Sequence, residues 1–187
     1  MTSDLSLVVQ VAVGGNRRAF DELVHRYQSP VRRFFLHQTL GDSQLSDDLA
    51  QDTFLKAYQH IGSFRGMASF QTWLMRIAFR VFYDYIRREK ARREGESHPS
   101  GLQPVEGLAA GNASHFDTQS ALRIDIYAAL ALLKPEERTC ITLQMIDGYD
   151  IKGIAAITQL KEGTVKSHIS RGKEKMANYL RNNGYGR

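Results

Sequence analysis

The chain has 187 residues, 42% of them apolar and 24% charged, with a formal net charge of +5. This is the composition of an ordinary globular protein, long enough for one domain or two small ones. The longest apolar stretch, Ile126 to Leu133, is too short to cross a bilayer, and a single cysteine, Cys140, excludes an internal disulfide framework. The first residues lack the basic-then-apolar layout of a signal peptide, so a reducing cytoplasm is the expected location.

The charge is unevenly spread. Residues 1–93 hold 14 Lys and Arg against 9 Asp and Glu; residues 94–118 hold none against 4; residues 119–187 hold 11 against 7. Two basic blocks either side of an acidic joint suggest two modules that both meet a polyanion. A merely solvated surface explains a charge this small equally well, so the motifs must decide.

In chain order, Phe20, Leu23, Val24, Tyr27 and Val31 recur at helical spacing, as do Leu45, Leu49, Phe54, Leu55 and Tyr58. Gly41, Gly62 and Gly66 mark breaks, and a long helix is expected from about Phe70 to Arg93 with Ser69 as N-cap. Residues 94–118 carry Gly95, Pro99, Gly101, Pro104, Gly107 and Gly111 with almost no bulky apolar residue. Such a segment cannot bury enough surface to offset its ordering, so a flexible linker is expected there, with the flanking modules folding separately.

Beyond it, Asp117 or Thr118 can cap a helix reaching Leu133, and Pro135-Glu136-Glu137 opens another. Proline and acids in a first turn suit the exposed amides and the macrodipole there. Ile151–Ile157 and Thr164–Leu180 complete the set, and no stretch alternates as a half-buried strand does. The expected fold is all-α: two small helical bundles, 1–93 and 119–187, joined by 94–118.

In the last helix Val165, Ile169, Gly172, Met176 and Leu180 share one face, while Lys166, Ser170 and Lys173 lie opposite with Ser167 and Arg171 beside them. From Lys161 onward there are 7 basic residues against 2 acidic ones. An apolar back and a short, basic, hydroxyl-bearing front suit a DNA major groove, although a solvated amphipathic helix shows the same pattern.

The particular residues are more specific. Gly148-Tyr149-Asp150-Ile151-Lys152-Gly153-Ile154-Ala155 followed by Glu162-Gly163-Thr164-Val165-Lys166-Ser167-His168-Ile169-Ser170-Arg171 resembles region four of bacterial sigma factors, and Leu133-Lys134-Pro135-Glu136-Glu137-Arg138 is similar to that region's opening. Gly14 to Tyr27, and Asp47 to Tyr58 with Asp48, Gln51 and Asp52 on one face, resemble region two and its polymerase-binding helix. An acid and amide face on a basic chain suits a basic protein partner better than DNA. Helix-dipole compensation accounts for Asp47 and Asp48 but not for Gln51 and Asp52.

Ser63 to Gly66 and Ser69 to Ala78 resemble the promoter-melting and −10-reading segment. There Leu74, Ala78, Val81 and Tyr85 form a buried stripe, and Arg76, Arg80, Tyr83 and Arg87 a second one that can track phosphates while a ring stacks on an unpaired base. Trp73 reads as core.

The resemblance spans nearly the whole chain outside the linker, in the two-module layout of extracytoplasmic function sigma factors. It implies binding to core RNA polymerase through Asp48, Gln51 and Asp52, and −10 contacts by Phe64, Arg65, Arg76, Arg80, Tyr83 and Arg87. It further implies −35 contacts by Thr164, Lys166, Ser167, Ser170, Arg171, Lys173 and Lys175. The implied partners are core RNA polymerase, promoter DNA and an anti-sigma factor, which in the family is often membrane-bound; no cofactor, metal or small-molecule substrate is implied. Three residues depart from the family pattern. Arg80 stands for a usual Asn, which bears on −10 preference, while Gly153 for Glu and His168 for Arg bear on −35 affinity or sequence.

A helix-turn-helix regulator that works without polymerase accounts for the last helices but gives the Asp48 face and the Arg76–Arg87 stripe no purpose. A sigma-mimicking adaptor is weakened by the lack of a receiver-like domain. For an enzyme, His25, His37, His60, His98, His115 and His168 have no metal-ligand spacing, Cys140 has no nearby His in sequence, and no glycine-rich phosphate loop follows a strand.

Overall fold

The computed structural model describes residues 2–95 and 118–185. Among them lie eight α-helices: α1 Asp4–Gly14, α2 Arg17–Gln38, α3 Ser43–His60, α4 Phe70–Gly95, α5 Thr118–Ala131, α6 Pro135–Met145, α7 Ile151–Thr158 and α8 Glu162–Asn182, with a 3-10 turn at Ile61–Ser63. The all-α expectation holds, with boundaries shifted by about two residues at the end of α5 and the start of α8. Of the segment expected to be a linker, 96–117 lies outside the described residues.

Short polar side chains start most of these helices by accepting from amides that the first turn leaves unpaired. Ser3 accepts from Ser6 N at 3.3 Å, Asn16 from Ala19 N at 3.3 Å, Asp42 from Leu45 N at 2.9 Å, Ser69 from Thr72 N at 3.1 Å and Asp150 from Gly153 N at 2.7 Å. The helical expectation for the first module covers α1, but no stripe marks it out in the sequence. Its run of leucines and valines is apolar on every side, so no single stripe stands out. Leu7, Val8 and Val11 are buried, while Leu5, Val9 and Val13 face outward.

Helices α1–α4 enclose Leu23, Val31, Phe34, Phe35, Leu74, Met75 and Ala78, and α5–α8 enclose Leu130, Ile141, Leu143, Ile154, Ile157 and Val165. Trp73 is half-buried and packs against Phe64 and Phe70, at ring separations of 5.7 and 5.5 Å, at the edge of the core. Gly172 allows α8 to lie close on α6: a β-carbon there would sit 2.7 Å from Ile141 Cγ1.

The two bundles are in contact, α4 against α7 and α2 against α6, which the picture of separately folding modules did not anticipate. The cause is a polar seam that periodicity does not reveal. Gln38, 2% exposed at the end of α2, donates from Nε2 to Thr142 Oγ1 at 3.0 Å and accepts from Thr139 Oγ1 at 3.0 Å. Arg138 donates to Gln38 O at 2.7 Å and to the carbonyls of Leu130 and Leu133. Burial pulls the Arg138 guanidinium down to about 10. With every one of these buried groups paired, the seam avoids the cost of orphaned polar atoms.

Candidate nucleic-acid and protein interfaces

Three surfaces carry the residues singled out in the sequence. The first is on α3. Asp48, Gln51 and Asp52 are all exposed, and Gln51 and Asp52 edge an open groove between α2 and α3. The floor of that groove is Phe20, Val24, Phe54, Leu55 and Tyr58. Leu55 is 55% exposed, and Tyr58 meets Phe20 edge to face at 4.9 Å. Sequence reasoning placed these residues in a helical apolar stripe. It missed that half of the stripe faces outward, because spacing tells which side chains share a face and not whether another helix covers it. Arg17 and Asp21 of α2 line it as well, and an apolar floor with a polar, mainly acid and amide rim is the anatomy of a protein-binding groove.

The second surface is the stripe on α4. Leu74, Ala78 and Val81 are buried as expected, and Tyr85 is half-buried. Arg76 donates from Nε to Ala156 O at 2.8 Å, and Arg80 from Nη2 to Gln159 Oε1 at 2.8 Å, both partners lying in the second bundle. Tyr83 packs on Phe79 and Phe82 at 4.4 and 5.9 Å, and its hydroxyl is buried beside Glu136 and Thr139. Burial first, and then Glu136, raise that hydroxyl far above its usual range. Arg87 is exposed and pairs with Asp84 at 2.8 Å. Arg65 is exposed; Phe64 is half-buried in the Phe70–Trp73 cluster. The helix thus brings Arg76, Arg80 and Tyr83 onto one side as the spacing implies; Arg76 and Tyr83 are half-buried against the second bundle, while Arg80 stays exposed.

The third surface is a helix-turn-helix. Asp150 caps α7, and the helix ends at Gln159, whose φ of 61° gives the left-handed turn into α8. Val165, Ile169 and Gly172 are buried on α6 and α7, whereas Thr164, Lys166, Ser167, Ser170, Arg171 and Lys173 are exposed on the opposite front. Lys175 differs from these. Its Nζ donates to Glu137 Oε2 at 2.7 Å, against a carboxylate side chain only 3% exposed. Burial pushes the Glu137 carboxyl up, but the hydrogen bonds from Lys175 and from the Lys134 amide outweigh it and hold it below its ordinary value.

Among the described residues no group of three or more His, Cys, Asp or Glu is placed to hold a metal ion. Cys140 is buried, and burial pushes its thiol up to about 12. Among the described residues no helix is long and apolar enough to cross a membrane.

Comparison with known proteins agrees with this geometry. Sigma-70 region 2 matches residues 23–92, and Sigma-70 region 4 matches residues 123–176. The RNA polymerase sigma-H factor of Pseudomonas aeruginosa is 32% identical over 165 residues, covering 86% of this chain and 85% of that one. The ECF RNA polymerase sigma-E factor of Haemophilus influenzae is 30% identical over 193 residues, covering 95% of each. Among solved structures, CnrH in complex with the cytosolic domain of CnrY aligns with a TM-score of 0.67 at 26% identity, over 96% of this chain and 98% of that one. The sigma factor RpoE of Bartonella quintana, in complex with the anti-sigma factor NepR, aligns with a TM-score of 0.65 at 26% identity, over 87% and 96%. The chain belongs to the sigma-70 family of transcription initiation factors. Within that family it is an alternative sigma factor of the extracytoplasmic function group, a class that binds core RNA polymerase and promoter DNA.

Proposed function

We propose that each of the three surfaces serves one step of promoter-directed initiation. The α2–α3 groove, edged by Gln51 and Asp52, takes core polymerase together with Asp48, exposed on the same helix beside it. The α4 stripe of Arg76, Arg80, Tyr83 and Arg87, with Phe64 and Arg65 ahead of it, meets the unpaired −10 strand. The front of α8 reads the −35 element, with Arg171 reaching a base edge and Lys173 a phosphate. Residues 1–93 and 119–187 are accordingly the polymerase and −10 module and the −35 module. Lys175, paired with Glu137, orients the front of α8 and meets the backbone only at its exposed end.

The observation that carries this reading is the groove. Its open apolar floor and acidic rim have no use in a regulator that binds DNA alone, and they lie on the helix that resembles the polymerase-binding one. The factor acts in the cytoplasm and contributes binding energy and strand opening rather than a catalytic group of its own. Both structural neighbours were solved with a bound partner, in one case an anti-sigma factor, which supports control of this chain by a protein of that kind.

The test is Asp48→Lys with Asp52→Lys. Both sites are exposed, so the helical signal is expected to stay intact while core affinity falls by a few kcal/mol, about the cost of reversing desolvated interfacial charges. Unchanged affinity by fluorescence anisotropy removes the groove from the interface.

A further inference from the structure

We propose that the last turns of α4 hold the sugar-phosphate backbone of the duplex lying between the −10 and −35 elements, with Lys90 and Arg93 as the phosphate contacts. The inference rests on the reading that the α4 stripe meets the unpaired −10 strand.

The observation behind it is a helix that outruns its bundle. Val81 and Phe82 are the last buried residues of α4, and Tyr83 to Ile86 are half-buried. From Arg87 to Glu94 every residue but Glu89 is exposed, and the only apolar side chain is Ala91. This stretch holds five basic side chains against two acidic ones. What keeps it helical is local. Arg92 pairs with Glu89 at 3.0 Å and Lys90 with Glu94 at 3.7 Å, and cations suit the negative end of the helix dipole.

A helix kept only as a solvated spacer has no need of a surplus of one sign. Here the surplus works against the helix, because Arg88 and Arg92 stand four residues apart and Lys90 and Arg93 three, spacings at which like charges repel. A polyanion laid along this surface removes that repulsion. The Lys90–Glu94 pair joins side chains 75% and 68% exposed, so exchanging it for a phosphate costs little. Lys90 and Arg93 also share one shallow surface with Tyr85 and Ile86, over which their apolar stems can lie.

Placement singles out duplex DNA. Lys90 stands three residues past Arg87 and so continues the Arg76, Arg80, Tyr83, Arg87 stripe at its alternating spacing of four and three. From Arg76 to Arg93 the helix rises about 26 Å, at ~1.5 Å per residue, a span of several phosphates. The end of α4 is where the chain departs for the module that carries α8. The stripe therefore runs from the unpaired strand toward the paired DNA that joins the two elements. Contacts to phosphates there fix register without reading sequence.

The experiment uses the full chain assembled with core RNA polymerase on a promoter fragment that yields run-off transcripts. Cys140 is buried and its thiol is pushed up to about 12, so a cysteine introduced at an exposed position takes an aryl azide label selectively. Labels enter through Lys90→Cys, through Arg93→Cys and, as a reporter on the stripe, through Arg80→Cys. The first two are expected to photocrosslink to the paired strands between the elements, and the third to the unpaired −10 strand. In parallel, Lys90→Ala with Arg93→Ala is expected to make the salt slope of promoter binding shallower by roughly 1.8 on every promoter alike, at about 0.9 per phosphate contact. Alanine favours helix, so unchanged far-UV dichroism separates lost contacts from lost structure.

Crosslinks from positions 90 and 93 to polymerase, or none to DNA, while Arg80→Cys reaches the unpaired strand, overturn the proposal and leave the stripe reading standing. An unchanged salt slope overturns it as well. If Arg80→Cys misses the unpaired strand in an open complex, the stripe reading has failed and the inference falls with it.

Discussion

Replacing Glu137 tests how the recognition helix is anchored. Its carboxylate is almost fully buried between α6 and α8, accepting from Lys175 Nζ at 2.7 Å and from Lys134 N at 3.2 Å. A hydrogen bond to a charged group contributes about 1.5–3 kcal/mol, and the lower end applies because the Lys175 side chain is 40% exposed and screened by solvent. Losing the helix-start contact to the Lys134 amide adds about 1 kcal/mol, and the one methylene removed by Glu137→Ala about 0.8 kcal/mol. Removing a carboxylate that was costly to desolvate offsets about 1 kcal/mol. The net expectation is a loss of about 2 kcal/mol at pH 7, which with an m-value of about 2 kcal/mol/M lowers the urea midpoint by about 1 M.

Because the carboxyl is held below its ordinary 4.5, this stability is complete above that value and drains away as pH falls through the depressed one. The gap between the parent and Glu137→Gln is therefore expected to narrow as pH drops from about 5 to about 3. Urea titrations followed by far-UV dichroism supply both readings. A midpoint within about 0.2 M of the parent at pH 7, or a gap that does not narrow in acid, refutes the anchoring argument.

Asp147 should respond to pH in the opposite sense. Its side chain is 5% exposed, and burial raises its carboxyl above the ordinary value despite Arg33 at 3.2 Å. Stability is thus fullest below the unfolded value and is lost as pH rises through the raised one, so Asp147→Asn should match or exceed the parent in thermal melting at pH 7 and lose that advantage below about pH 4. On α8, Arg171→Ala should cost about 1–3 kcal/mol and relax preference at one base position. Lys173→Ala should weaken all duplexes alike and lower the salt slope by about one, both variants being measured against a promoter library at two salt concentrations.

Much of the fold was legible because its signals are local. Ser69, Asp150 and the Pro135-Glu136-Glu137 opening start helices as their chemistry requires, and Val165, Ile169 and Gly172 bury the expected face of α8. What could not be read is what covers each face. Arg76 and Arg80 share a stripe by spacing alone, yet their partners, Ala156 and Gln159, lie about eighty residues along the chain. Gln38 and Arg138 are polar residues with no periodic signature, and their burial follows from meeting each other. Leu55 and Tyr58 belong to a stripe that ends in solvent, and Lys175 has the right spacing for a phosphate contact but finds a buried carboxylate first. Motif residues on α3 and α8 were found at their expected exposed positions, since a short helix with one buried face leaves the other open.

The central claim, that this chain directs core polymerase to promoters through the α2–α3 groove, is tested most directly by run-off transcription. Core RNA polymerase is mixed with genomic promoter fragments and either the parent chain or the Asp48→Lys, Asp52→Lys variant. Discrete transcripts that appear only with the parent, and that fail with the variant at matched concentration while its isolated DNA binding persists, are the predicted result. Transcripts of equal yield with both chains, or none with either while DNA binding is intact, contradict the account.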